Sequence, residues 1–436
     1  MDVIKLFNEI CGISHCSFNT QKLADYLLNY AKSCGFSVKI DDFGNIHAIK
    51  GRPKICLQAH YDMVCVGLAP EIKVQNDGLY LSALHSSLGA DNGIGVAICM
   101  KMMAEFENLE VLFTNDEEVG MLGAAGFDGQ LKSEFLLNLD SECDDEIITS
   151  CAGGVLIGLS AKSALKQSFG RIYEISVANL PGGHSGVEIY KNIPNAIKIL
   201  AEFLEQNKCE IISFDGGERT NSIPANARAV VLCDELLDQK IQNKADFISV
   251  KQIKPNFKNQ SLEKSAEILS FLTALKHGIY ELGTELSTPK SSANLAVIST
   301  KNDGDLRALD IEIYARAMDN ESLEKIKNTI SKQALNAGFR VVYSEQSAPW
   351  VSAGDDFAKK VLEILKKYRP NAKITSIHAG LECGILCAKA LKFGKTLQVC
   401  SIGPNIISPH STHEKCEIAS IDRIQKVVRQ VLNAFS

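Results

Sequence analysis

The chain has 436 residues, 45% of them hydrophobic and 22% charged, and a formal net charge of -6. This size and balance exclude a disordered or fibrous chain and leave room for two or three globular domains. Lysine and arginine are scattered, so the charge pattern offers nucleic acid no footprint.

Taken in chain order, the opening segment MDVIKLFNEICGISHCSFNT reads as a short amphipathic helix and a turn. It lacks the basic region and long apolar core of a signal peptide, and no run reaches the length of a membrane-spanning helix. The expectation is a cytoplasmic protein without a membrane partner. Helical spacing follows over 21–33, strand-like runs over 37–49 and 54–59, helix again over 92–105, and apolar strand candidates over 109–114 and 134–139. Such alternation favours an α/β sheet covered on both faces.

The character changes near residue 169, where the strand-like RIYEISVANL runs into the Gly-rich PGGHSG turn. Strands and helices alternate from there to about residue 343, with helices over 195–206 and 320–337, as expected of a self-contained α+β insert. The final stretch returns to α/β character: helices over 355–367 and 383–391, a strand over 396–401 and a closing helix over 421–435. No repeat or low-complexity linker interrupts this order. The expected architecture is a discontinuous α/β/α domain, 1–170 and 345–436, interrupted by a smaller α+β domain, 171–344.

Fourteen cysteines are dispersed through apolar stretches such as Lys54-Ile55-Cys56-Leu57, and in a chain of this length they read as reduced core residues. Cys383 and Cys387, four apart in a predicted helix and without a second pair, read as packing residues.

Acidic and histidine residues recur just after predicted strands, where open α/β sheets bind ligands. His60 and Asp62 lie on one side of an extended segment; an imidazole there can bind a metal while a nearby carboxylate accepts its other N–H. In GADNGIG, Asp91 either caps the following helix or turns its carboxylate to bridge two ions, the glycines allowing close backbone approach. In TNDEEVG, the adjacent Glu117 and Glu118 either form a solvated loop or divide the work of general base and metal ligand. Asp140, in NLDSE, offers a further oxygen, and His410 sits in SPHSTHE beside a second histidine, His413. Each motif alone has a structural explanation; five in order at strand ends do not share one.

The strings LQAHYDMV, LGADNGIGVA, LFTNDEEVGMLGA, LLNLDSE, PGGHSG, IHAGLECGI and SIGPNIISPHSTHE together resemble the bacterial aminoacyl-histidine dipeptidases, also called peptidase D or cytosolic Xaa-His dipeptidases. These belong to a wider group of dinuclear zinc peptidases that includes peptidase T, the carnosinases and the aminoacylases. Carried over position by position, the resemblance implies metal ligation by His60, Asp91 (bridging), Glu118, Asp140 and His410, with Asp62 orienting His60 and Glu117 as general base. It implies two divalent ions per chain, zinc by preference, with cobalt or manganese also suited to a mixed N/O shell. His410, directly after the Ser-Pro turn, matches the family ligand better than His413 does. The resemblance further implies a homodimer through the inserted domain, acting as a lid, and a small peptide as substrate. His184 matches a histidine that holds the substrate carbonyl oxygen, often across the dimer interface, while Asn221 and Arg316 match substrate-contacting lid residues, the arginine suited to a terminal carboxylate. His378 and Glu382, in HAGLECG, fit the family string as residues lining the site.

The expected activity is hydrolysis of dipeptides, Xaa-His and related, by a bridging water that two ions acidify and Glu117 deprotonates. An aminoacylase or deacetylase acting on N-acylated amino acids is the alternative. A metal-binding scaffold without catalysis is disfavoured by the presence of both Glu117 and Asp62. A cysteine hydrolase is disfavoured because no cysteine sits at a nucleophile elbow near a predicted base.

Overall fold

The computed structural model describes residues 2–234, 236–237, 247–254, 260–285 and 287–435. The chain forms two compact units, one of residues 1–151, 350–376 and 381–436, the other of residues 152–349 and 377–380.

The first unit is built on a mixed sheet whose strands run, in spatial order, Ser37–Ile40, Ile46–Lys50, Leu109–Thr114, Ile55–His60, Phe135–Asn138, Gln398–Ser401, Glu146–Cys151 and Trp350–Val351. Ile55–His60 pairs in parallel with both Leu109–Thr114 and Phe135–Asn138. Both Ile55–His60 and Leu109–Thr114 are buried at every position, which is why they are mostly apolar without alternation; their interior polar residues, Gln58 and Glu110, are hydrogen-bonded. The Ala90–Glu105 helix is apolar almost all round and correspondingly buried in the same core. His60, Thr114 and Asn138 stand at the carboxyl ends of three adjacent parallel strands, so the loops that follow them emerge side by side.

The expected strand over 37–49 is instead a hairpin of Ser37–Ile40 and Ile46–Lys50. Asp41 makes the turn: its Oδ1 accepts the N–H groups of Phe43 (3.0 Å) and Asn45 (2.9 Å).

The second unit carries an antiparallel sheet in the order Ile248–Gln252, Arg171–Val177, Ala227–Cys233, Glu210–Gly216, Ser291–Asp303, Leu306–Ala317, Gly153–Gln167 and Gln260–Leu262. The helices Ala196–Gln206, Ser265–Ala274 and Asn320–Asn336 share its core. Two of them start where side-chain caps dictate: Asn195 Oδ1 accepts from the N–H groups of Ile197 and Lys198, and Asp319 Oδ1 from that of Ser322.

The insert begins at residue 152, not 171, because the strand Gly153–Gln167 pairs along its length with Leu306–Ala317 and so belongs to the second sheet. Its polar half, SAKSALKQ, hides that strand from a hydrophobic-pattern reading. The insert also ends later, at residue 349, and takes back 377–380, so His378 lies in it.

The cysteines need a second correction. Disulfides join Cys16 to Cys65, with Cα atoms 5.5 Å apart, and Cys209 to Cys233, 4.8 Å apart, while ten cysteines are free. Partners 49 and 24 residues apart in sequence leave no spacing signal to read. Among the described residues, no helix is long and apolar enough to cross a membrane.

Candidate metal centre

The loops after the three parallel strands deliver Asp62, Glu117, Glu118 and Asp140 to one place, where Asp91 joins them from the start of the Ala90–Glu105 helix. His60, 1% exposed, ends its strand with Nε2 lying 3.2 Å from Asp91 Oδ1 and 3.2 Å from Asp140 Oδ1. His410 Nε2 lies 3.1 Å from Asp91 Oδ2 and 2.8 Å from Glu118 Oε1. Asp91 therefore presents one oxygen to each histidine. It can do so because residues 91 and 92 depart from helical backbone angles at the start of the Ala90–Glu105 helix, turning Asp91 out of the helical path. Asp116 and His410 hold left-handed backbone, at φ 50° and 59°, strain of a kind that concentrates at functional sites.

Three sets of donor atoms converge closely enough to hold an ion: His60, Asp91 and Asp140; His60, Glu117 and Glu118; and Asp91, Glu118 and His410. The chemistry of these donors fits a cation. Glu118 Oε1 and Asp140 Oδ1 are buried and take no hydrogen bond, although each has an imidazole nitrogen nearby. A single ring nitrogen cannot aim one proton at two oxygens, whereas one cation can satisfy all of them. Among the described residues the converging donors are nitrogen and oxygen only.

The electrostatics point the same way. Burial and neighbouring negative charge push the Glu117 carboxyl well above the ordinary range, that of Glu118 to about 7 and that of Asp140 to about 6. Burial acts upward on Asp91 too, but His410 and His60 hold it low. Burial opposes a charge on His410, yet Glu118 and Asp91 push its pKa up to about 12, and Asp140, Asp62 and Asp91 likewise raise that of His60. So much enclosed negative charge is the setting that divalent cations offset.

Asp62 stands beside His60, as expected, and holds more besides. His60 Nδ1 is 3.0 Å from the Asp62 carbonyl oxygen and 3.5 Å from its carboxylate, so the main chain is the nearer acceptor that orients the ring. The carboxylate also accepts the N–H groups of Glu117 (2.9 Å) and Glu118 (3.3 Å) and the hydroxyl of Ser17 (2.8 Å).

Glu382 is fully buried, and its Oε2 accepts from Gln58 Nε2 (2.5 Å) and Thr114 Oγ1 (2.6 Å). It braces the strand ends beside His60 and Glu117, the His60 charge acting on it and its own on Glu117. His413 is exposed and belongs to none of the donor sets.

In the second unit, the short strands Gly183–His184 and Ser222–Ile223 pair, which sets His184 beside Asn221. His184 Nδ1 accepts the N–H groups of Gly186 and Val187, each at 3.1 Å, so its proton sits on Nε2. A Cβ at Gly186 would stand 2.5 Å from the His378 carbonyl oxygen, 3.0 Å from His184 Cε1 and 3.3 Å from Arg316 Nε; glycine lets the three residues converge. His378 is buried, with Nε2 2.7 Å from Ser292 Oγ, and burial together with the Arg316 guanidinium lowers its pKa to about 3. A neutral, enclosed ring at this place orients its neighbours Ser292 and Arg316.

Three neighbours of the centre escape sequence reasoning. Ser17 lies outside every motif, and Glu414 closes the SPHSTHE string without a ligand spacing that would give it a role. Glu142, two residues past Asp140, reaches solvent but is crowded, and burial with Asp91 pushes it to about 8.

Residues 56–434 match the model of peptidase family M20/M25/M40. The chain belongs to this family. An M20 relative, the cytosol non-specific dipeptidase of Escherichia coli (strain K12), is 29% identical over 98% of this chain and 96% of its own length. The crystal structure of an aminoacylhistidine dipeptidase from Vibrio alginolyticus is similar over 100% of this chain and 96% of that one, at 27% identity and a TM-score of 0.72. A tripeptidase from Staphylococcus aureus shares the fold, with a TM-score of 0.61 at 15% identity over 99% of this chain and 98% of that one. These likenesses bear out the α/β reading and make the chain a peptidase by family, with His and carboxylate clusters that could hold metal.

Proposed function

We propose that this M20 chain hydrolyses the peptide bond of dipeptides, Xaa-His among them, with two divalent ions per chain, zinc by preference. His60, Asp91 and Asp140 would hold one ion, and Asp91, Glu118 and His410 the other. The observation that carries this reading is Asp91, with one carboxylate oxygen 3.2 Å from the His60 nitrogen and the other 3.1 Å from that of His410. The names of the Escherichia coli and Vibrio relatives support a dipeptide substrate, and the first supports a cytosolic location.

Bound ions supply positive charge that polarises a carbonyl group and acidifies water. Glu117 takes the proton of the attacking water and returns it to the departing amine. Asp62, accepting the Glu117 N–H, keeps that carboxylate in place. His184, protonated on Nε2, donates to the developing oxyanion; Asn221 contacts the substrate beside it, and Arg316 takes the C-terminal carboxylate. The same reading includes a homodimer through the inserted unit.

Glu117→Gln tests the assignment. Metal content should stay at the parental level while kcat falls by roughly 100- to 10,000-fold. Retained turnover rejects Glu117 as the base. Parallel assays with dipeptides and N-acetyl amino acids separate a dipeptidase from an aminoacylase.

A further inference from the structure

The strands Ile406–Ile407 and Lys415–Glu417 form a hairpin whose loop carries His410 towards its tip and Glu414 at its base. Glu414 is 3% exposed. Its Oε2 accepts the N–H groups of Leu88 (2.7 Å) and Gly89 (3.0 Å), and its Oε1 those of Ala90 (2.8 Å) and Asp91 (3.3 Å). One carboxylate thus gathers four successive main-chain donors at the turn where Asp91 leaves the helical path.

We propose that Glu414 is a positioning residue that fixes Asp91 relative to His410, and so governs metal affinity at the Asp91, Glu118 and His410 centre. The inference rests on the dinuclear reading above. Asp91 and His410 lie 319 residues apart in sequence and approach at 3.1 Å. Glu414 is four residues from His410 on one side and bonded to the Asp91 N–H on the other, so its carboxylate joins the two carriers directly. The other centre depends less on this clamp, because His60 and Asp140 come from the ends of sheet strands. The ring-opposed oxygens of Asp91 are set by the Asp91 main chain, and Glu414 holds that main chain with charge-assisted bonds. An amide at 414 keeps the size but turns an NH2 group towards two of the four donors.

The test uses the full-length chain loaded with Zn2+, as parent, Glu414→Gln and Glu414→Asp. Each is challenged with rising chelator, metal per chain is read by elemental analysis, and the Co2+-substituted forms are read by visible absorption. The parent should hold two ions. Glu414→Gln should release one ion at chelator strengths lower by roughly 10- to 100-fold, the scale on which residues supporting metal ligands act, while the other, which shares Asp91 but keeps His60 and Asp140, shifts by less. Glu414→Asp, which keeps the charge on a shorter arm, should fall between, with one of the two Co2+ absorption components changed. Parental retention of both ions in Glu414→Gln overturns the proposal alone. So does parallel loss of both ions with a matching fall in Tm, which is the mark of a merely structural role. A parent that holds no metal overturns the dinuclear reading and the proposal with it.

Discussion

The carboxylate of Asp62 receives the main-chain N–H of Glu117 at 2.9 Å, so the acid two residues past His60 also holds the backbone of the proposed general base. Its second oxygen takes the Glu118 N–H and the Ser17 hydroxyl. Asp62→Asn should therefore act on Glu117 more than on the metals, since one acceptor oxygen becomes a donor facing an N–H. The expected outcome is a roughly 100-fold fall in kcat with KM and metal content little changed. Steady-state kinetics paired with elemental analysis checks it; loss of metal with parental kcat per loaded site would show that Asp62 serves His60 instead.

Asp144 anchors the segment that follows Asp140. Its side chain is 1% exposed, with Oδ1 accepting from Arg369 Nε (2.7 Å) and Oδ2 from Arg423 Nε (2.6 Å). Burial raises the Asp144 pKa, but hydrogen bonds from Arg369, Ser420 and Arg423 outweigh it and hold the carboxyl below its ordinary value. A depressed folded pKa means that the stabilisation is complete above the ordinary value of 3.8 and is lost as pH falls through the lower, folded value. Asp144→Asn should cost about 2 kcal/mol at neutral pH, less than a fully enclosed pair because both arginines reach solvent. Denaturant unfolding from neutral to strongly acidic pH should show that difference shrinking in acid; a difference independent of pH would contradict the ion-pair account.

The disulfides make a separate prediction. On loop entropy alone, Cys16–Cys65 contributes about 4 kcal/mol and Cys209–Cys233 about 3 kcal/mol. Chain unfolded without reductant should expose ten titratable thiols, and added reductant should lower the unfolding midpoint. A count of fourteen, the full cysteine complement, would mean that both pairs are dithiols in the isolated protein.

Much of this arrangement is legible from residue pattern. Leu109–Thr114 reads correctly because a fully buried strand leaves a mostly apolar run, broken inside only by Glu110, and Gln21–Ser33 because a half-buried helix leaves a periodic one. The five motifs at strand ends name the residues that converge, since a parallel sheet brings the loops after its strands to one edge. What escapes is set by contacts distant in sequence. Glu414 belongs to the SPHSTHE string, but its role escapes because it meets its partners across more than 320 residues. Alternation puts His60 and Asp62 on one side, and the Asp62 carboxylate does lie 3.5 Å from His60 Nδ1, but its bond to the Glu117 N–H, 55 residues on, leaves no trace in the local pattern. The Gly153–Gln167 strand escapes because half of it is polar, and its membership of the insert is decided by its partner, Leu306–Ala317.

The most direct test of the central claim is metal content by elemental analysis, joined to hydrolysis of Gly-His and β-alanyl-histidine before chelation, after it, and after zinc is restored. The account predicts about two metals per chain, with turnover that disappears on chelation and returns with zinc. A chain that binds no metal, or that cleaves dipeptides undiminished after its metal is removed, would contradict it.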